Sequence, residues 1–368
     1  LRKYYSSSQE LENVCQPVFM VNWKRHGCGT SATGVHRHGT IRRNPRVENE
    51  NIEVYCMKKI LIDMLVCPSC LPDENKLEER IIHEESGDIV DGSLNCRRCG
   101  GIYPIRDGIA YLEPRPWREE RADSKYETSP VLSSYLWSHY GDILGDPEAS
   151  SAYEEWANLI TAGSGVAMDI GAAVGRFAFE MTARTDFVVG IDNSVSFIRS
   201  ARDIMAHRRM KFALRQEGNL SREKTLVLRD DWHSGKVEFI VGDALALPFP
   251  SRSFSTLASL NLLDKVSLPL KHLREMNRVA KDRCAQLLLS DPFSWSTEAA
   301  REEDWLGGKE NGVYSGSGME NVCAILKGRD GVLLPEWHPE RQGHVWWKIR
   351  THGNHFELIR SCYVKAVR

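Results

Sequence analysis

The sequence has no apolar run near the roughly 20 residues that a bilayer-spanning helix needs, and it shows no apolar core with a cleavage site of the secretory type. It has almost no net charge: 48 Lys and Arg stand against 50 Asp and Glu, a formal −2. No global field therefore draws the chain onto nucleic acid or an anionic membrane. The GxGxxG fingerprint aimed at a pyrophosphate is missing, and so is any His-x-x-x-His-x-Glu iron site. Cysteine is not scarce, at ten, but four fall in two CxxC pairs and the others are scattered. That distribution suits metal ligands in a reducing cytosol better than a disulfide framework, so a cytoplasmic protein is expected.

What is present is an ordinary globular composition, 42% apolar and 27% charged over 368 residues, enough for more than one domain. Residues 1–56 are polar, carry basic clusters such as "IRRNPR" and lack sustained periodicity. They are expected to be disordered, or a non-native extension, because "MKKILIDMLVCPSC" from Met57 reads as the start of a folded domain. The local basic stretch "MAHRRMKF" (205–212) reads as the solvated end of a helix.

Cys67-Pro-Ser-Cys70 is followed, after 25 intervening residues, by Cys96-Arg-Arg-Cys99. Each pair forms a knuckle whose thiolates converge, and two knuckles supply a tetrahedral four-sulfur set suited to zinc. Four protein ligands leave no open position, so the metal is structural, and its binding supplies folding free energy to a small module. The run "MKKILIDMLVCPSC" with "LNCRRCGGIYPIRDGIAYLEP" resembles the zinc-ribbon activator subunits of methyltransferases that act on tRNA, rRNA and translation factors. The resemblance covers residues 57–114 and implies a scaffold that covers an apolar face of a catalytic partner, here fused on the same chain. A charged, proline-punctuated linker and a lead-in helix are expected over 115–150, ahead of a second domain at 151–368.

From residue 166 short apolar strands alternate with amphipathic helices. "VAMDIG" (166–171), "FVVGIDNS" (187–194), "VEFIVGDALALPF" (237–249), "FSTLASLNLL" (254–263) and "CAQLLLSDP" (284–292) read as strands. "GRFAFEMTART" (175–185), "SVSFIRSARDIMAHRR" (194–209) and "PLKHLREMNRVAK" (269–281) read as helices, and 345–368 as a closing hairpin. The expected fold is α/β, a doubly wound, seven-stranded, Rossmann-like sheet with a small N-terminal zinc ribbon, its ligands held at the carboxyl ends of the strands.

"DIGAAVG" (169–175) lies where the first of these strands turns into its helix. Gly171 permits the sharp turn, and Gly175 lets a helix begin close to a ligand. Asp169 would repel phosphate but suits a cationic amino-acid group, so the sulfonium and ammonium of S-adenosylmethionine fit better than a nicotinamide dinucleotide. Asp192 ends the second strand, where it can accept both ribose hydroxyls. Asp243 ends the third, where it can accept the adenine amino group beside a backbone contact from Ala244. Asn261 ends the fourth, facing the reactive end of the cofactor.

This region resembles the class I methyltransferases. Through "DIGAAVGRFAFEM", "VGIDNSVSFI", "QEGNL", "GDALALP", "NLLDKV", "SDPFSW" and "WLGG" it is most similar to the mercaptohistidine N-methyltransferase domain of ovothiol synthases. Ser255 and "KDRC" (281–284) depart from that pattern, and the sulfur-inserting domain of those enzymes is absent from the sequence. The resemblance implies methylation of a ring nitrogen. Methyl transfer is an in-line displacement that requires alignment and exclusion of water, not a protein nucleophile. Cys284, Cys323 and Cys362 are accordingly read as buried apolar residues.

The candidate wall for the acceptor is Asn261, Asp264, Asp291, Phe293, Trp295 and Trp305. Asp264 and Asp291 read equally as substrate-holding carboxylates or as cap and turn acids, and the aromatics as stacking or core residues. His352 and His355 read as surface residues of the hairpin. The leading reading is N-methylation of a small imidazole- or amino-acid-like acceptor. An RNA base methyltransferase with a ribbon module and a methyltransferase-fold interaction module that has lost activity stay open beside it.

Overall fold

The computed structural model describes residues 56–114 and 124–368. The extension expected over 1–56 lies outside the described residues except for Cys56, as does the linker over 115–123. The N-terminal module contributes β1 (Glu78–Glu85), β2 (Asp88–Asn95), β3 (Ile102–Arg106) and β4 (Ile109–Leu112). There follow α1 (Ser129–Tyr140), α2 (Ala152–Ala157), β5 (Val166–Ile170), α3 (Arg176–Met181), β6 (Phe187–Asp192) and α4 (Val195–His207). A hairpin of β7 (Arg209–Glu217) and β8 (Leu220–Val227) precedes β9 (Val237–Gly242), β10 (Thr256–Leu260), α5 (Pro269–Val279) and β11 (Gln286–Asp291). The chain closes with α6 (Gly318–Leu326), β12 (His338–His352) and β13 (His355–Val367).

The sheet has eleven strands, not seven, in the order β1-β2-β3-β4-β9-β6-β5-β10-β11-β13-β12. The seven expected strands are its right-hand part from β9 onward. The excess comes from the N-terminal module, whose β4 pairs parallel with β9, Tyr111 opposite Val241 and Leu112 opposite Gly242. Without β4, β9 would be the open edge of a parallel sheet, with a row of unpaired backbone groups; the ribbon covers that edge. Strands β5, β6, β9, β10 and β11 are buried on both faces, as their continuous apolar runs require of a helix-covered parallel sheet.

The two modules share one core. Leu61, Leu65, Ile89 and Leu94 of the ribbon pack in a single apolar cluster with Ile191, Ile240, Leu247 and Phe249. Backbone groups cross the junction too: Val66 N–H donates to the Pro248 carbonyl at 3.0 Å. The Glu74 carboxylate accepts from the Ser251 amide at 2.6 Å.

Helix α4 shows why the local pattern holds. The Ser194 hydroxyl accepts from the Phe197 amide at 3.2 Å as its N-cap, and Phe197, Ile198, Ala201, Ile204 and Met205 are buried. It stops at Arg208, in the left-handed region with φ 55°, and not at 209. The expected solvated helix end is therefore half wrong: Arg209–Phe212 begin β7, with Phe212 buried. Helix α3 is also shorter than expected, ending at Met181, and Cys284 sits exposed on a left-handed turn while Cys323 is buried. Among the described residues, no helix is long and apolar enough to cross a membrane.

Candidate active site and metal centre

The carboxyl ends of β5, β6, β9 and β10 open into one cavity of about 860 Å³, lined among others by Gly171, Asp192, Asp243, Ala244 and Asn261. That volume falls in the range of roughly 300–1,000 Å³ typical of small-ligand pockets. The turn after β5 is held by two amides, Gly171 N–H and Ala172 N–H, which donate to the Ile191 carbonyl at 2.8 and 3.0 Å. Gly171 has φ 79°, and a Cβ there would meet the Leu262 side chain at 3.0 Å. Glycine is needed on both counts.

Asp192 joins this turn to the start of α4. Its Oδ2 accepts from Ala173 N–H at 2.9 Å and its Oδ1 from Ser194 N–H at 2.8 Å. Burial pushes its carboxyl up to about 6, although both amides favour the ionised form. Asp243 Oδ1 accepts from Leu245 N–H at 2.8 Å, which folds the loop that presents Ala244. Behind that loop His272 is buried, its Nδ1 3.2 Å from the Ala244 carbonyl and its Nε2 2.9 Å from the Ser259 hydroxyl. Burial holds this imidazole down at about 4, so it is neutral and serves as a strut. Asn261 has φ 56°, and its Oδ1 accepts from the Ser361 hydroxyl at 2.6 Å, tying the end of β10 to β13.

Two expected cofactor residues do not line the cavity. Asp169 lies beneath the turn, 3% exposed, with Oδ2 unpartnered. Burial pushes its carboxyl up to about 7, the Ala178 amide works against that, and Asp192 adds to it. A buried carboxylate oxygen without a partner under the turn fits a cationic ligand above it. Gly175 (φ 85°) begins α3, but a Cβ there would meet the Phe239 ring at 2.7 Å and Ala201 at 3.1 Å. Its smallness serves helix-to-sheet packing, where close approach to a ligand was expected.

The expected acceptor wall divides. Of it, only Asn261 faces the cavity. Asp264 and Asp291 are buried against each other: Asp291 Oδ2 accepts from Asp264 N–H at 3.2 Å and Oδ1 from Phe293 N–H at 2.8 Å. Asp264 Oδ2 accepts from Ser294 N–H at 2.8 Å and from Lys265 Nζ at 3.1 Å. Burial, then the neighbouring Asp264 carboxylate, raises the Asp291 carboxyl well above the usual range. The pair pins together the loops after β10 and β11, the turn-acid reading. Phe293 and Trp295 pack against the apolar cluster that includes α6, Phe293 against Gly318, and Trp305 stacks on Trp295 at 6.4 Å.

The cavity's other wall was not expected. It comes from α1, α2 and the β12–β13 hairpin, through Tyr135, His139, Tyr153 and Trp347. The signal was present in "SSYLWSHY": Tyr135 and His139 are four apart, on one helical face. Trp347 was hidden because its place depends on the register of a long hairpin, Trp347 opposite Ile359.

At the far end of the sheet, the sulfurs of Cys67, Cys70, Cys96 and Cys99 all lie within 4.8 Å of one another. Cys67 and Cys99 are 3.5 Å apart and Cys70 and Cys96 3.7 Å. Four thiolates around zinc at ~2.3 Å stand about 3.8 Å apart, so the set fits that ion. Burial opposes ionisation of Cys96, but the amides of Cys99 and Arg98 bring it down to about 7. The Tyr103 hydroxyl lies 3.1 Å from Cys67 Sγ and donates to Ser69 at 2.8 Å, an outer support for the knuckle.

Comparison with known proteins agrees with both halves. A family profile described as "Trm112p-like protein" matches residues 58–108, and one described as "Methyltransferase domain" matches 168–285. No curated protein matches the sequence. Among solved structures, a SAM-dependent methyltransferase from Methanosarcina mazei is 18% identical, covering 57% of this chain and 94% of its own, with TM-score 0.37. A chain of the complex between the Haloferax volcanii Trm112 methyltransferase activator and a methyltransferase is 14% identical, covering 64% and 96%, with TM-score 0.37. Haemonchus contortus phosphoethanolamine N-methyltransferase 2, in complex with S-adenosyl-L-methionine, is 17% identical over 52% of this chain, with TM-score 0.35. This chain spans only 37% of that one. The protein thus matches a Trm112p-like profile over 58–108, where a four-cysteine cluster is compatible with zinc, and a methyltransferase-domain profile over 168–285.

Proposed function

We propose that the protein is an active methyltransferase that N-methylates a small imidazole- or amino-acid-like acceptor. The observation that carries this reading is the cavity itself. It joins the strand ends Gly171, Asp192, Asp243 and Asn261 to an aromatic recess on its opposite wall. Its rim carries Glu298 and Glu357 besides the two aspartates, against Lys125 and Lys265. An excess of carboxylates favours a neutral or cationic acceptor and disfavours a polyanion. Asp192 and Asp243 would hold the ribose and adenine, and Asp169 would act as counter-charge beneath the turn. S-adenosylmethionine supplies a methyl group already activated by its positive sulfur; the protein's share is to align the acceptor and keep water out. Phe293, Trp295, Trp305, Asp264 and Asp291 then act by shaping the loops around the acceptor.

The alternative, methylation of tRNA or rRNA, rests on the Trm112p-like module at 58–108. Incubation of the purified protein with methyl-labelled S-adenosylmethionine and either thio-imidazoles or bulk tRNA and rRNA separates the two. Label in the small molecules supports the proposal. Label in RNA alone overturns it, and label in neither favours a module without activity.

A further inference from the structure

Two residues of the cavity wall come from the N-terminal module. Glu113 and Pro114 directly follow β4, and they line the cavity together with Gly242, Asp243 and Ala244. Strand register explains the meeting. β4 runs parallel with β9, Tyr111 opposite Val241 and Leu112 opposite Gly242. The next residue of each strand, Glu113 and Asp243, therefore leaves the sheet side by side. In a sheet that ended at β9, Asp243 would stand at the rim of the pocket. Here the ribbon adds one more strand end beyond it, on the side where Asp243 would hold the adenine.

This end of β4 is held by the cysteine cluster. The Ser69 hydroxyl donates to the Pro114 carbonyl at 3.1 Å and accepts from the Tyr103 hydroxyl at 2.8 Å. Ser69 lies between Cys67 and Cys70, two of the four clustered cysteines. Val66, just before that knuckle, grips the loop after Asp243 by donating its N–H to the Pro248 carbonyl. Asp243 is oriented from its own side, its Oδ1 accepting from Leu245 N–H at 2.8 Å. The result is two half-buried carboxylates at adjoining strand ends. Like charges so placed repel, and a donor shared between them offsets that cost.

We infer that the ribbon supplies part of the cofactor pocket: Glu113 accepts one hydrogen of the adenine amino group, Asp243 accepts the other, and Pro114 walls the adenine edge. The inference rests on the methyltransferase reading above and deepens it. The exocyclic amine of adenine is a donor with two hydrogens, which matches two acceptors. A purine with an oxo group at that carbon presents an acceptor to both carboxylates and is rejected. A site built around a donor discriminates strongly against the analogue that lacks it.

Calorimetric titration of the full-length, zinc-loaded protein tests this, with S-adenosylhomocysteine and its 6-oxo analogue S-inosylhomocysteine as probes. The wild type should bind the adenine form at least thirtyfold more tightly. E113A should bind S-adenosylhomocysteine at least fivefold more weakly, and its preference for adenine should fall at least tenfold. E113Q keeps an acceptor oxygen and should stay within threefold of wild type for S-adenosylhomocysteine. E85A, at an exposed ribbon position on the β1–β2 turn, should change neither affinity. S69A leaves all four cysteines in place; it should hold one zinc per chain yet weaken S-adenosylhomocysteine at least threefold. Folded E113A with wild-type affinity or wild-type adenine preference overturns the inference and leaves the methyltransferase reading standing. If E113A does not fold, S69A decides: zinc-loaded S69A with wild-type affinity overturns it too. Wild-type protein that binds no S-adenosylhomocysteine sinks the underlying reading instead.

Discussion

The backbone N–H of Lys58 donates to the side chain of Glu238 at 2.8 Å, across 180 residues of sequence. Glu238 is fully buried and also pairs with Arg202, whose guanidinium donates to the Cys56 carbonyl at 2.8 Å. One carboxylate thus fastens the first residues of the ribbon to β9 and α4. The ribbon shares the core of the second domain, and the two halves should not melt apart.

Replacing Glu238 by Gln removes the charge and leaves Arg202 buried without it. Breaking a buried pair from one side costs about 3–5 kcal/mol, so urea unfolding should shift by that much in a single transition. Burial pushes the Glu238 carboxyl up, but the Arg202 and Lys58 charges, together with the Lys58 and Phe239 amides, hold it below its ordinary 4.5. Its contribution is therefore complete above that pH and lost as pH falls through the lowered value. A shift under 1 kcal/mol, or two separate transitions, would contradict this linkage.

Stripping the metal should unfold more than the ribbon. Cys67 and Cys96 sit in the same apolar cluster as Phe249 and Leu247 of the second domain. Denatured protein should release one zinc per chain, read with a colorimetric chelator, and C99S should release it more readily. Chelation should also lower the melting temperature of the methyltransferase half, followed through its tryptophans. An unchanged melting temperature after complete zinc loss would show the junction to be energetically weak.

Gly175→Ala should act on stability first. The left-handed backbone costs a side chain about 1–2 kcal/mol, and overpacking against Phe239 adds about 1–3 kcal/mol. Cofactor affinity, measured well below the melting temperature, should stay within threefold of wild type. A folded variant of normal stability that cannot bind the cofactor would restore the ligand-contact role.

Asp169 gives the unliganded protein a pH signature. Its carboxyl is raised from 3.8 to about 7, so the stability it contributes is complete below 3.8 and lost as pH rises through 7. The melting temperature of Asp169→Asn should therefore gain on wild type between pH 5 and 8. Parallel curves for the two proteins over that range would remove Asp169 from this role.

Much of the site could be read from residue order because the parallel strands bring their own ends together. Once "VAMDIG", "FVVGID", "VEFIVG" and "TLASL" are strands, Gly171, Asp192, Asp243 and Asn261 must share one edge. The CxxC pairs were legible for the same reason: the spacing itself specifies the geometry. What escaped depends on contacts distant in sequence. Nothing in "RMKFALRQE" separates an outlying hairpin strand from a frayed helix end, and β7 is set by its pairing with β8. Trp347 reaches the cavity only through the register of β12 on β13. Asp291 makes the local turn contact that its reading as a turn acid allowed, with the Phe293 amide two residues on, but the Asp264–Asp291 and Asp264–Ser294 contacts join loops distant in sequence, which no local pattern reveals.

The most direct test is calorimetric titration of S-adenosylmethionine into wild type, Asp192→Ala and Asp243→Ala. The account predicts stoichiometric binding by the wild type. Each variant should lose about 1.5–3 kcal/mol, some ten- to hundredfold, as expected for hydrogen bonds to a charged group. Affinities equal to wild type in both variants, with folding confirmed by circular dichroism, would contradict it.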